Sequence, residues 1–135
     1  MGEIGDNVGV ARSRIPDADG LGAVRAAVEA ATSGDPGQTD RATQRLAVKY
    51  TLQLLADRAP GSSVEVRIPP LAAIQAIPGP VHRRGTPSAV VEIDPTTWLA
   101  LATGDLSWTA ARESGRVRAS GERADLTPWL PLLNT

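Results

Sequence analysis

His82 is the single histidine of the chain, and Arg83 and Arg84 follow it directly. One histidine excludes histidine-rich metal sites and two-histidine catalysis. The neighbouring guanidiniums favour the neutral imidazole. Two readings stand for the trio. It is a solvated basic loop or, if it borders a cavity, a headgroup site. In the second case Arg83 and Arg84 hold a carboxylate or phosphate by bidentate bonds beside His82. Five serines, Ser62, Ser63, Ser107, Ser114 and Ser120, fall in turns or caps, and none sits in a G-x-S-x-G elbow. The carboxylates are scattered. Glu65 and Glu92 fall on strands, Asp94 and Asp125 read as caps, and Glu113 and Glu122 read as exposed. No metal-ligand spacing is present. The chain has no cysteine, hence no disulfide and no thiolate nucleophile or ligand. Glycine pairs lack Walker and dinucleotide patterns, and Gly115–Gly121 brackets a strand instead of opening a helix. No cofactor and no metal is expected, and the chain is not expected to be an enzyme.

What remains is an apolar inventory. Trp98, Trp108 and Trp129 are the bulky side chains of a chain without phenylalanine. Core packing is one use for them. Lining a ligand cavity is another, because such cavities are mainly apolar and aromatic.

The elements that would carry these residues follow from period and caps. Residues 1–18 show no periodicity and read as a flexible tail. Leu21, Val24, Val28 and Ala31 set a helix from Asp19 until Ser33–Gly37 breaks it. Thr39 or Asp40 caps a second helix, which ends at Ala59-Pro60-Gly61. Its apolar positions, among them Leu46, Tyr50, Leu52, Leu54 and Leu55, point around most of the circumference. A surface helix would show a narrower stripe, so this one is read as central.

Ser63–Ile68 alternates cleanly, with Val64, Val66 and Ile68 inward and Glu65 and Arg67 outward. Pro69-Pro70 stops that strand. Leu71–Ile77 reads as a second strand, apolar on both faces and so covered on both sides. Val81–Pro87 is strand or loop, and Ala89–Ile93 is a further strand. Asp94-Pro95 places a cap acceptor before a first-turn proline, and Gly104 supplies a left-handed C-terminal cap. Ser107 caps a short helix that stops at Gly115. Arg116–Ser120 is a strand with Val117 and Ala119 inward. A last helix carries Trp129, Leu130, Leu132 and Leu133, shortened or kinked by Pro131.

A chain of 135 residues fits one domain, 41% hydrophobic and with a formal charge of -1. Near-neutral charge, and the lack of aromatics interleaved with basic residues, argue against nucleic acid as a partner. No signal-peptide run and no membrane-length apolar window occurs, so a cytoplasmic protein without stable membrane insertion is expected. Met1-Gly2 starts like a myristoylation signal, but Asp6 stands where serine or threonine is needed.

The order of elements from Val90 to Leu133 resembles the second half of a sterol-carrier-protein-2-like domain. Asp94-Pro95-Thr96-Thr97-Trp98-Leu99-Ala100-Leu101-Ala102-Thr103-Gly104 is similar to that superfamily's D-x-x-x-W/F-L-A-L-A-x-G helix. Leu106–Ser114 is similar to its following short helix, Gly115–Gly121 to its S-G-x-[VL]-x-[VI]-x-G strand, and Asp125–Leu133 to its closing helix. With Ser63–Ile68 as first strand, the likeness spans residues 40 to 133 and points to the bacterial branch. One lysine against thirteen arginines fits a high-GC bacterial coding bias. The chain lacks the Ser-Lys-Leu-like ending of eukaryotic members and carries a Pro-rich turn at Pro78–Pro87.

The resemblance implies an α/β (α+β) fold in one domain over residues 19–133. Its curved, five-stranded, mostly antiparallel sheet would be covered by helices on one face, with an apolar tunnel between. It further implies non-catalytic binding of a sterol, fatty acid, acyl-CoA or phospholipid. The residues expected to border the ligand are Leu46, Tyr50, Leu54, Ile74, Trp98, Leu101, Trp129 and Leu133. The alternative is an interaction module that forms a homodimer or supports a partner enzyme, its interior filled by side chains. Cavity volume separates the two. An enzyme using His82 with Arg83 or Arg84 is a third reading, but it lacks a visible nucleophile.

Overall fold

The structure, a computed structural model, describes residues 14–33, 40–80, 89–121 and 124–134. Helix α1 spans Asp17–Thr32, starting two residues before the expected point, with Asp17 and Asp19 in its first turn. Those carboxylates complement the positive end of the helix dipole. Helix α2 spans Arg41–Arg58, and its cap is Asp40, whose side chain accepts from the Thr43 N–H at 2.7 Å. That bond holds the Asp40 carboxyl below its usual range.

Three strands follow, β1 (Val64–Ile68), β2 (Ala72–Ala76) and β3 (Ala89–Ile93). Asp94 caps helix α3 (Pro95–Thr103) by accepting from the Thr97 N–H at 3.0 Å. Gly104 ends α3 at φ 86, the left-handed conformation a glycine adopts without steric cost. Ser107 caps the short helix α4 (Trp108–Glu113), and β4 covers Val117–Ser120.

The described strands form one sheet in the order β2-β1-β3-β4. β1 pairs antiparallel with β2 and parallel with β3, and β3 pairs antiparallel with β4. The sheet therefore has four strands among the described residues, where five were expected. The segment left open as strand or loop, residues 81–87, lies outside them.

The register makes one row of aliphatic side chains, Ile74–Val66–Val91–Ala119, across the covered face. Val64, Val66, Ile68, Val91 and Val117 are all buried, as alternation requires. On the opposite face Arg67, Glu92 and Arg118 lie side by side in a row of alternating charge, and Arg67 pairs with Glu65 at 2.9 Å. Helix α2 lies against β2, with α1 and α3 packed on α2.

Two expectations are corrected here. β2 is not covered on both sides: it is an edge strand with Ala73 and Gln75 exposed. The C-terminal segment is a single 3-10 turn, Thr127–Trp129, followed by extended chain. Pro128 and Pro131 remove the N–H groups a helix would need. The extended chain is held by other donors instead. Leu132 and Leu133 donate to the Ala102 carbonyl at 2.8 and 3.0 Å. Arg58 Nη1 donates to the carbonyls of Trp129 and Pro131 at 2.9 and 2.7 Å.

Candidate functional site: a groove at the sheet edge

α2 meets the sheet mainly along β2 and leaves a gap beside that edge strand. The gap is an open groove of about 760 Å³. Its helical wall is Leu46, Lys49, Leu52, Gln53 and Ala56, a repeat of three and four residues that faces one direction. Its sheet wall is Leu71, Ala72, Ala73 and Ile74, and its end is Arg14 and Ile15.

The end wall is fixed by bonds from both partners. The Ile15 N–H donates to Gln53 Oε1 at 2.9 Å, and Gln53 Nε2 donates back to the Ile15 carbonyl at 3.1 Å. Arg14 pairs with Asp57 through two bonds, 3.0 and 2.6 Å. That bond and charge hold the Asp57 carboxyl below its usual range and raise the Arg14 guanidinium. With Gln53 and Arg14 engaged, Lys49 is the polar group in the groove without a side-chain partner among the described residues.

The residues expected to border a ligand separate into three groups. Leu46 and Ile74 line the groove. Tyr50, Trp98 and Leu101 are packed in the core, 2%, 0% and 1% exposed. Leu54, Trp129 and Leu133 are half-buried against that core, outside the groove lining. Tyr50 has a structural partner: its hydroxyl donates to Asp17 Oδ1 at 2.8 Å. Burial, then this bond, pushes the phenol above its usual range. Trp98 Nε1 donates to Thr51 Oγ1 at 2.7 Å, and Thr51 in turn donates to the carbonyls of Ala47 and Val48. His82, Arg83 and Arg84 lie outside the described residues.

Lys49, Gln53, Ala56 and Leu71 were not among the expected residues. Their one sequence signal is the four- and three-residue spacing of Lys49, Gln53 and Ala56. It carries no apolar stripe and so reads as an ordinary solvated face. A second, smaller cleft of about 160 Å³ lies among α1, α2 and α3, lined by Val28, Gln44, Leu99 and Ala100 among others.

Among the described residues no three His, Asp or Glu side chains converge as a metal site would require. Asp94 and Ser107, read as caps, do act as caps, whereas Asp125 accepts from the Thr127 N–H at 2.9 Å two residues on, in a turn, and the 3-10 turn starts from Leu126 with no side-chain cap. No described helix is long and apolar enough to cross a membrane.

Comparison with known proteins gives one positive finding. The family model described as bacterial SCP ortholog matches residues 40–132. The match begins at the cap of α2 and ends in the strapped C-terminal segment, so it takes in both walls of the groove. The chain belongs to this family, in the bacterial branch of the sterol-carrier-protein-2-like superfamily. No curated protein matches the chain.

Proposed function

We propose that this bacterial SCP ortholog binds an apolar lipid ligand in the groove between α2 and β2 and carries it without chemical change. The observation that supports this reading is the groove itself. Its volume of about 760 Å³ falls in the roughly 300–1,000 Å³ range of small-molecule sites. Its walls are mostly aliphatic, with Ile15, Leu46, Leu52, Leu71 and Ile74 contributing from three segments. Apolar surface that such a wall removes from water is worth about 25 cal/mol per Å². A flexible acyl chain or a sterol ring system suits an open, elongated apolar trough, and Lys49 offers its ammonium to a polar end. The family contributes the ligand classes: sterol, fatty acid, acyl-CoA or phospholipid.

The experiment is a titration of the purified full chain with a fluorescent long-chain fatty acid. Saturable binding is expected. Ala56→Trp, which fills the trough from the helical wall, and Ile74→Gln, which puts an amide in the sheet wall, are each expected to weaken binding at least about ten-fold, more than 1.4 kcal/mol. Absence of saturable binding, or equal affinity in both variants, contradicts the reading.

One observation favours the alternative, an interaction module that dimerises or supports a partner enzyme. The space between α2, α3 and the sheet is filled, with Trp98, Leu52, Leu55 and Leu101 fully buried. The same titration separates the two readings, because a module without a ligand cavity gives no saturable signal.

A further inference from the structure

The two edges of the sheet differ in kind. β4, at one edge, carries Arg118 exposed, with Arg116 just before it. Charge on an edge discourages another strand from pairing there. β2, at the other edge, runs Ala72-Ala73-Ile74-Gln75-Ala76, with no charge and no proline. Pro69-Pro70 lie before it and Pro78 after it. Those prolines limit its length and leave its pairing groups intact. Its outer side meets no other strand among the described residues. The space beside it is open along the groove. It is open again at the Pro69-Pro70 turn, where a shallow cleft of about 350 Å³ runs past Leu71, Ala72 and Ala73.

β2 is also complementary to itself. Turned about a two-fold axis through Ile74, the strand meets its own copy antiparallel, and each of its five residues has an opposite number. Ile74 faces the partner's Ile74, Ala72 faces the partner's Ala76, and Ala73 faces the partner's Gln75. No charge opposes a charge, and small residues flank the isoleucine pair on both sides. The aliphatic row Ile74–Val66–Val91–Ala119 ends at this edge. Pairing at Ile74 joins it to the same row in the second copy.

We propose that the chain forms a homodimer by antiparallel β2–β2 pairing, and that the second copy closes the open side of the groove. A second copy is the partner this strand fits, because one register satisfies both faces along its whole length. Main-chain bonds supply the pairing, and the buried face fixes the register. The two troughs meet at the shared edge, each with Leu71, Ala72, Ala73 and Ile74 as its sheet wall. Ile74 of each copy then borders both. The joined chamber shields an apolar ligand that a single copy leaves open to water. Closure of the trough rests on the lipid-binding reading; the pairing rests on the strand alone.

The chain has no cysteine, so one introduced thiol reports the register. Directly opposed residues of antiparallel strands have Cα atoms about 4.5–5.5 Å apart, within the span of a disulfide. Ile74→Cys should therefore give covalent dimers under mild oxidation. Ala72→Cys should not, because its counterpart lies about 13 Å away along the paired strands. Sedimentation equilibrium of the full wild-type chain should show a reversible dimer. A charge pair gives a second check: A73K/Q75K sets lysine opposite lysine, whereas A73E/Q75K sets glutamate opposite lysine. The dimer dissociation constant of the first should exceed that of the second at least about ten-fold. Circular dichroism of both should match wild type. A monomer even at millimolar concentration overturns the proposal. So does equal cross-linking of the two cysteine variants, or equal dissociation of the two charge variants. The fatty-acid titration fails or succeeds separately: a monomer can still bind free fatty acid, and a dimer can stand without binding any.

Discussion

Gly20 shows how one missing methyl decides the place of an aromatic residue. It is buried on α1, where a Cβ would clash with the Tyr50 ring. α1 can therefore close on α2 with the Tyr50 ring against Gly20, and the Tyr50 hydroxyl reaches Asp17. The sequence reading put Tyr50 at a ligand cavity, because an aromatic on an apolar helix face suits either role. Only the approach of α1 assigns it to packing, and a glycine inside a helix reads locally as a weak turn. Gly20→Ala should cost about 1–3 kcal/mol, the penalty of overpacking a tight contact. Denaturant unfolding checks it. A loss smaller than the few tenths of a kcal/mol typical of a surface change would mean that the α1–α2 contact is looser than described. Trp98 was likewise readable as a bulky apolar residue, but its bond to Thr51 depends on the meeting of α2 and α3, which no local pattern encodes.

Elements with local codes were legible, and elements defined by their neighbours were not. Asp94-Pro95 and Gly104 bracket α3 because cap chemistry is set within a few residues. The alternation of β1 fixes its buried face for the same reason. β2 misled because Leu71–Ile77 is largely apolar and carries no charge, which suits a strand covered on both faces as well as an uncharged edge strand. The terminal segment misled because Leu and Trp at helical spacing outvoted two prolines.

Three carboxylates in local hydrogen bonds or an ion pair will titrate. Asp57, Asp40 and Asp125 all have carboxyls held below their usual range, by Arg14, by the Thr43 N–H and by the hydrogen bond from Thr127 respectively. A carboxyl depressed in the folded state stabilises fully above its unfolded value, about 3.9. It loses that contribution as pH falls through the folded value. The melting temperature should therefore hold between about pH 7 and 5 and drop below about pH 4. Asp57 and Arg14 side chains are 48% and 64% exposed, so solvent screening keeps the contribution of their pair small. Asp57→Asn should melt slightly below wild type at pH 7 and equal to it at pH 2. A difference that persists at pH 2 would show that Asp57 acts through something other than its charge.

Taken as a whole molecule, the protein is one sheet with a helical layer packed on one face, and the groove arises where that layer overhangs the sheet edge. The family was legible because its motifs are local: a capped helix after β3, a glycine stop, a short helix and a strand. The groove was not, because its walls come from segments far apart in the chain, Ile15, α2 and β2. Of the residues expected at a tunnel, Tyr50, Trp98 and Leu101 fill the core and Leu46 and Ile74 line the groove, while Lys49, Gln53 and Ala56 read as solvent-facing. The most direct measurement of the central claim is an NMR titration of the isotopically labelled full chain with palmitate, following backbone amides. The account expects saturable shifts concentrated at Leu46, Lys49, Gln53, Ala56, Ala72 and Ile74, with Leu101 and Val117 little changed. Shifts confined to other segments, or no saturable shift at any residue, would contradict it.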